Sequence, residues 1–228
     1  MESAPAAPSA KEELRRHFRR RRRQHLPAAA DGLLAVARRD LLPRLPPPGP
    51  SPLGLSPPGP SPPGRLGLYW PLGAEPDLRP LAAELQARSP GALALPAVLP
   101  WPPHAPGLQL LYLPWDPADP LLPDACGIPA PPASGEPASG EPGSGPLAPT
   151  ELALLLVPAL AIDRTGLRLG SGGGWYDRLR ADPAWRRVPA LAVLPAACVS
   201  PHPLPRDPWD VPFTGWLDET GVHFVASS

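Results

Sequence analysis

Hydrophobic positions fall into short runs separated by stretches that cannot form core. RLGLYW (65–70), ALALPAVL (92–99) and LQLLYL (108–113) read as strands. LALLLV (152–157) is a continuous apolar run closed by Pro158, the pattern of a strand covered on both faces. ALAVL (190–194) and VHFVA (222–226) complete the set. Between these runs the period lengthens to that of a helix. Ser9 followed by Glu12 makes a capping-box signal, so a helix is expected from near Ala10 to just before Pro27, with Leu14 and Phe18 as its narrow apolar stripe. Lys11 and Arg15 lie four apart on it and share a face. A second helix is expected through Leu33, Leu34, Ala37 and Leu41. Asp77 is placed to cap a third carrying Leu78, Leu81 and Leu85, and WYDRLR (175–180) reads as a short fourth. Strands alternating with helices predict one three-layer α/β/α domain over residues 1–228, with a mainly parallel sheet.

Composition changes this picture in two places. The chain has 43 prolines, and they cluster. Residues 43–64 (PRLPPPGPSPLGLSPPGPSPPG) and 129–146 (PAPPASGEPASGEPGSGP) are low-complexity tracts. Proline fixes φ and removes a backbone donor, so both are expected to be solvated Pro/Gly-rich loops inserted between core elements.

Charge is the second place. Basic and acidic residues number 21 each, so no global field draws the chain to nucleic acid or membrane. Locally, KEELRRHFRRRRR (11–23) holds eight of the 21 basic residues, which raises a rival reading as a nucleic-acid-binding module. Against it stand the acidic neighbours Glu12 and Glu13, the lack of aromatics beyond Phe18, and the compensating charge elsewhere. Cys126 and Cys198 are too few for a disulfide framework and lack metal-ligand spacing. The longest apolar run, ELALLLVPALAI, is too short for a bilayer and contains a proline, and the N-terminus has no apolar signal region. A soluble, cytoplasmic protein with reduced thiols and no membrane partner is expected.

The candidate chemistry lies in RLGSGGGWYDR (168–178), with four glycines in the five positions 170–174. A buried strand, a turn, a glycine-rich loop and then a helix place that loop at the carboxyl edge of the sheet, where open α/β folds bind ligands. Glycines let backbone N–H groups converge on an anion, and the helix adds the positive end of its dipole. A tight strand-to-helix turn is the simpler alternative. The loop is not a P-loop, since no lysine follows the glycines, and not a dinucleotide fingerprint, since Trp175 occupies the third glycine site. Asp177 at its base is a natural Mg²⁺ ligand beside a polyphosphate.

VPALAIDRTGLRLGSGGGWYDR (157–178) resembles the signature of the 5-formyltetrahydrofolate cyclo-ligases (5,10-methenyltetrahydrofolate synthetases). In the same order, Lys11-Glu-Glu-Leu-Arg15 resembles the family's N-terminal KxxLR. LYWPLGAE (68–75) is similar to its glutamate-bearing strand and loop, and LPRDPWDVPFTGWLDETGV (204–222) to its LPxExHDxPxDxxxTExGV segment. The resemblance implies a NagB/RpiA/CoA-transferase-like fold and a ligase (6.3.3.2) that is usually monomeric. Such an enzyme closes 5-formyltetrahydrofolate, with or without a polyglutamate tail, to 5,10-methenyltetrahydrofolate, with ATP as co-substrate and Mg²⁺ required. It implies ATP contacts from Lys11, Arg15, Arg168, Leu169, Gly170, Ser171, Gly172, Gly173, Gly174, Trp175 and Tyr176. Folate contacts would come from Trp70, Glu75 and the Ser171–Trp175 part of the loop, and Mg²⁺ ligands from Asp177 and Asp210, with Asp207 the competing choice for the second. Several positions depart from the pattern: Gly173 for a common lysine, Trp175 for tyrosine or phenylalanine, Trp209 for histidine, Ala153 for an acidic residue, and GIPAP (127–131) without the family's EP. These departures motivate an alternative, a folate- or nucleotide-binding homologue with weak or no catalysis.

Overall fold

The computed structural model describes residues 9–44, 64–103, 106–133 and 145–226. Helix α1 (Ala10–Val36) begins at the expected capping box: Ser9 Oγ accepts the Glu12 N–H, and Glu12 Oε2 accepts the Ser9 N–H at 2.8 Å. It does not stop at Pro27. The two helices expected there are one, running on into a π-helical turn (Ala37–Leu41) and a 3₁₀ turn (Leu42–Arg44). An internal proline costs about 3 kcal/mol. Continuing the helix buries Ala29, Leu33, Val36, Ala37 and Leu41 against the sheet. Full burial of a large aliphatic side chain is worth roughly 1.5–3 kcal/mol, so tertiary packing outweighs the local penalty.

The remaining elements follow in chain order: β1 (Arg65–Gly67), α2 (Arg79–Arg88), β2 (Leu93–Leu99), β3 (Gln109–Pro114), β4 (Leu122–Pro123), β5 (Pro129–Ala130), β6 (Leu152–Pro158), β7 (Ala161–Asp163), β8 (Arg168–Leu169), α3 (Trp175–Ala181), α4 (Pro183–Arg187), β9 (Ala190–Val193), β10 (Val199–Ser200), β11 (Gly215–Asp218) and β12 (Gly221–Phe224). The main sheet has seven strands in the order β12-β11-β9-β6-β1-β2-β3. Its five inner strands are parallel, and both edge strands, β3 and β12, are antiparallel. This is the mainly parallel α/β architecture the patterning predicts. β11 carries no apolar alternation strong enough to announce it. Asp77 does not occupy the N-cap of α2, which is Leu78, but its Oδ1 accepts the Arg79 N–H at 3.0 Å from one residue further out.

Alternation along the strands sorts the core into two faces. Leu155, Val157, Ala190 and Ala192 join Phe18, Tyr112 and Leu160 on one side, against which Tyr176, Leu179 and Trp185 of α3 and α4 pack. Leu156, Leu191 and Val193 join Leu33, Val36, Leu81 and Leu85 of α1 and α2 on the other. Helix α1 contributes to both, with Leu14 and Phe18 on the first side and its second half on the other. Of the Pro-rich tracts, residues 45–63 and 134–144 lie outside the described residues. The start of the second tract is not a solvated loop: Pro129–Ala130 pairs with Leu122–Pro123, and Ala130 is buried against Ala97 and Leu113. Among the described residues no helix is long and apolar enough to cross a membrane, and Cys126 and Cys198 are both free thiols.

Candidate functional site

The chain leaves β1 toward β2 on one side of the sheet, and leaves β6 toward β9 and β11 on the other. Neighbouring parallel strands whose connections diverge open a crevice at their carboxyl ends, the topological switch point. A cleft of ≈ 310 Å³ lies there, lined by Leu72 and Glu75 after β1, Pro158 at the end of β6, Arg168 to Asp177, Leu204 to Trp209 in part, Asp210, and Lys11 and Arg15 of α1.

The glycine loop forms one wall. Gly172 (φ +116) and Gly174 (φ +64) adopt left-handed backbone that side-chain-bearing residues rarely take, and Gly174 is the N-cap of α3. Arginines hold the loop through its carbonyls. Arg15 Nε donates to Gly170 O at 3.2 Å, Arg19 Nη2 to Ser171 O at 2.8 Å, and Arg178 Nη2 to Gly173 O at 2.9 Å. Arg178 also lies over the Trp175 ring at 4.3 Å. The sharing of one face by Lys11 and Arg15 thus brings both into the cleft. The arginine run is largely engaged by the protein body: Arg21 donates to Ala197 O, and Arg22 is buried. Four of the seven arginines in the run are thereby turned to the protein body, while Arg16, Arg20 and Arg23 are exposed.

Opposite the loop, residues 207–210 form an acidic turn in which the Asp207 N–H donates to Asp210 Oδ2 at 2.7 Å. Lys11 Nζ reaches both carboxylates, at 2.6 Å from Asp207 and 2.9 Å from Asp210. Burial pulls the Lys11 ammonium pKa down, but the two carboxylates outweigh it and hold the group above its ordinary value. Asp210 is the more enclosed of the pair, its side chain 13% exposed against 40% for Asp207. Asp177 lies 3.3 Å from Arg168 Nη2. Arg168 is itself almost buried, donating to Pro158 O at 3.3 Å between the rings of Tyr176 and Phe213. Among the described residues no group of three or more His, Cys, Asp or Glu side chains is arranged to hold a metal. A complete protein cage is therefore absent among them; of the four carboxylates lining the cleft, Glu75, Asp177, Asp207 and Asp210, one or two would make the donor set Mg²⁺ takes when phosphate oxygens and waters fill its other positions.

Glu75 sits in the cleft wall, accepting the Leu72 N–H on Oε2 at 3.0 Å. Burial raises its pKa, partly offset by that N–H and by Arg22 and Arg168. Tyr176, also lining the cleft, has its phenol pushed up to about 12, again chiefly by burial. The structure does not bring Trp70 into the cleft. Its ring lies under the Arg79 guanidinium at 4.6 Å and packs on the core of the α1–α2 side.

Two residues central to this geometry escape sequence reasoning. Asp163, 2% exposed, accepts from Thr165 N (2.8 Å), Thr165 Oγ1 (2.6 Å), Leu167 N (3.1 Å) and Leu204 N (2.8 Å), joining the turn before the glycine loop to the segment that leads to the acidic turn. DRTG (163–166) after a buried strand is an Asx-turn signal that points to it. Arg22 continues the four-residue spacing of Leu14 and Phe18, which marks it as inward-facing despite its charge.

Residues 68–217 match the sequence profile of the 5-formyltetrahydrofolate cyclo-ligase family. A 5-formyltetrahydrofolate cyclo-ligase from Haemophilus influenzae is 31% identical over 148 residues, 64% of this chain and 71% of that protein. One from Mycolicibacterium smegmatis is 64% identical over a short segment of 28 residues, 12% of this chain and 14% of that protein. The solution structure of 5,10-methenyltetrahydrofolate synthetase from Aquifex aeolicus superposes with a TM-score of 0.63 at 24% identity, covering 96% of this chain and 95% of that one. The Mycoplasma pneumoniae 5,10-methenyltetrahydrofolate synthetase gives 0.59 at 14% identity, over 92% and 99%.

Proposed function

The chain belongs to the 5-formyltetrahydrofolate cyclo-ligase family, and we propose that it is a cytoplasmic enzyme that converts 5-formyltetrahydrofolate to 5,10-methenyltetrahydrofolate while splitting ATP to ADP and phosphate. The chemical difficulty is the formamide oxygen, which a neighbouring amine cannot expel. Transfer of the γ-phosphoryl of ATP to that oxygen, with ADP leaving, gives an imidate phosphate. N10 then attacks the activated carbon, the C–O bond breaks, phosphate departs, and the N10 proton is lost. Such a reaction asks for positioning and for neutralisation of phosphoryl charge, with little covalent work by side chains.

The observation that carries this reading is the assembly of Lys11, Arg15, the glycine loop, Asp177 and Asp210 around one cleft at the switch point. Lys11 and Arg15 bind the ATP phosphates. The loop from Arg168 through Leu169, Gly170, Ser171, Gly172, Gly173 and Gly174 to Trp175 and Tyr176 wraps the nucleotide, and its Ser171–Trp175 part also faces the folate. Glu75 accepts hydrogen bonds from the pterin N–H groups. Asp177 and Asp210 would hold Mg²⁺, which when bound with the nucleotide neutralises charge on the transferring phosphoryl group. Trp70, outside the cleft, is given no part.

The test is direct. Methenyltetrahydrofolate absorbs in the near ultraviolet, so the purified chain mixed with ATP, Mg²⁺ and 5-formyltetrahydrofolate is expected to give a rising absorbance that requires all three. No rise from a chain that binds ATP would replace this reading with that of a binding homologue without catalysis.

A further inference from the structure

One charged pair beside the cleft has no part in the phosphoryl chemistry. Arg22 of α1 is 7% exposed, its Nη1 donates to Ala159 O at 3.2 Å, and its Nε is buried without a partner. The same Nη1 lies 3.7 Å from Glu75 Oε1, and the Glu75 side chain is only 9% exposed. Sequestering a guanidinium from water carries a large desolvation penalty even when it is paired, and an apolar side chain of similar length would fill the position without that penalty. Packing alone therefore gives no reason for an arginine at the end of the Leu14–Phe18 stripe. Its charge has a reason at Glu75. The amino and ring N–H groups of a pterin edge present two donors side by side, which a carboxylate matches with two acceptor oxygens and a protonated carboxyl does not.

We propose that Arg22 is a positioning residue of the folate subsite: anchored on the Ala159 carbonyl, it keeps Glu75 ionised and fixed in place to receive the pterin N–H donors. The inference rests on the assignment of Glu75 to the folate made above. Other groups facing Glu75 are the Leu72 N–H, the Arg168 guanidinium from β8, and the phenols of Tyr69 and Tyr176. Arg168 shares its charge with Asp177, which leaves Arg22 as the cation whose only carboxylate partner among the described residues is Glu75.

Steady-state kinetics on the full chain test this with Arg22→Met, Arg22→Lys, Glu75→Gln and the Arg22→Met/Glu75→Gln double variant. Loss of one hydrogen bond from the pterin to an ionised Glu75 corresponds to a factor of about ten or more, so Arg22→Met is expected to raise KM for 5-formyltetrahydrofolate by that factor while KM for ATP stays within about twofold. Its folate KM should also begin to climb at a higher pH than in the wild type, because Glu75 then protonates more readily. Arg22→Lys should restore much of the affinity and the wild-type pH profile, and Arg22→Gln, which keeps a donor for Ala159 O but carries no charge, takes the place of the methionine variant with the same expected rise in folate KM if that variant does not fold. The double variant should be no worse than Glu75→Gln, since Arg22 acts through Glu75. An unchanged folate KM in Arg22→Met, additive losses in the double variant, or equal loss of ATP and folate affinity would each overturn the proposal. If Glu75→Gln itself leaves folate KM unchanged, the fault lies in the assignment of Glu75; if only Arg22→Met is silent, it lies in the role of Arg22.

Discussion

Asp163→Asn isolates one bond between the two walls of the cleft. Asp163 Oδ1 accepts from Thr165 N, Thr165 Oγ1 and Leu167 N, while Oδ2 accepts from Leu204 N at 2.8 Å. Asparagine has the same shape but one NH₂ in place of an oxygen. If the NH₂ takes the Oδ2 position, it meets the buried Leu204 N–H donor to donor. If the amide flips, it meets the N–H groups of both Thr165 and Leu167, which is worse. The first orientation loses one hydrogen bond to a charged acceptor, about 1.5–3 kcal/mol, and leaves a buried N–H unsatisfied at a further 1–3 kcal/mol or so. A loss of about 3 kcal/mol is expected, a large share of the roughly 5–15 kcal/mol that holds a domain together. For a chain of this size it corresponds to a drop in Tm of about 6–12 °C. Because Leu204 and Pro205 lead into the acidic turn that contacts Lys11, KM for ATP should rise as well. Urea unfolding and thermal melts of the two proteins, with ATP kinetics alongside, measure both effects. A melting point within about 1 °C of wild type would show that this hydrogen-bond arrangement carries no such weight.

Three further outcomes are expected. Asp177→Asn should lower turnover by about 100-fold through loss of charge at the phosphoryl site. Its thermal melt should barely move, because the Asp177 side chain is 31% exposed and partly exposed ion pairs stabilise little; wild-type turnover would refute the metal role. Gly172→Val forces a branched side chain onto a φ of +116° with Arg15 3.9 Å from the new Cβ, a strain of about 1–3 kcal/mol; the thermal melt should fall by roughly 2–12 °C and KM for ATP should rise, and unchanged ATP affinity would exclude the backbone cradle. For Tyr176, held at about 12 by burial against an ordinary 10.0, the unfolded chain loses its phenolic proton first as pH rises. Stability should therefore fall from about pH 10 upward, and Tyr176→Phe should show a shallower fall in urea unfolding across that range; an identical slope would rule out the shift.

Elements driven by local pattern were legible in the sequence. The capping box at Ser9 and Glu12, the apolar run of β6 and the start of α3 after Gly174 all depend on neighbours within a few residues, and all stand where the pattern puts them. The errors occur where tertiary packing overrides a local signal. Pro27 marks a stop that the burial of Leu33 and Val36 cancels, and Asp77 is one residue too early to cap α2. At the site, the shared face of Lys11 and Arg15 followed from helical spacing. The engagement of Lys11 by both Asp207 and Asp210 did not, because no local rule ties residues 11 and 210. Trp70 shows the converse: it sits in a segment that resembles the family's folate strand, yet Arg79 covers its ring away from the cleft. Arg22 was hidden among identical arginines, and only its register with Leu14 and Phe18 set it apart.

The contacts of Lys11 with Asp207 and Asp210 span 196 and 199 positions, and Arg15 reaches Gly170 across 155. During synthesis, α1 leaves the ribosome long before its partners are translated, and its cations wait without them. The nascent chain therefore has no assembled cleft until residue 210 has emerged, and closing such distant pairs is slow because the entropy of the intervening loop is lost before the contact forms. Nucleotide added during refolding should find its site only in the last kinetic phase, after the parallel strands at the centre of the sheet have paired.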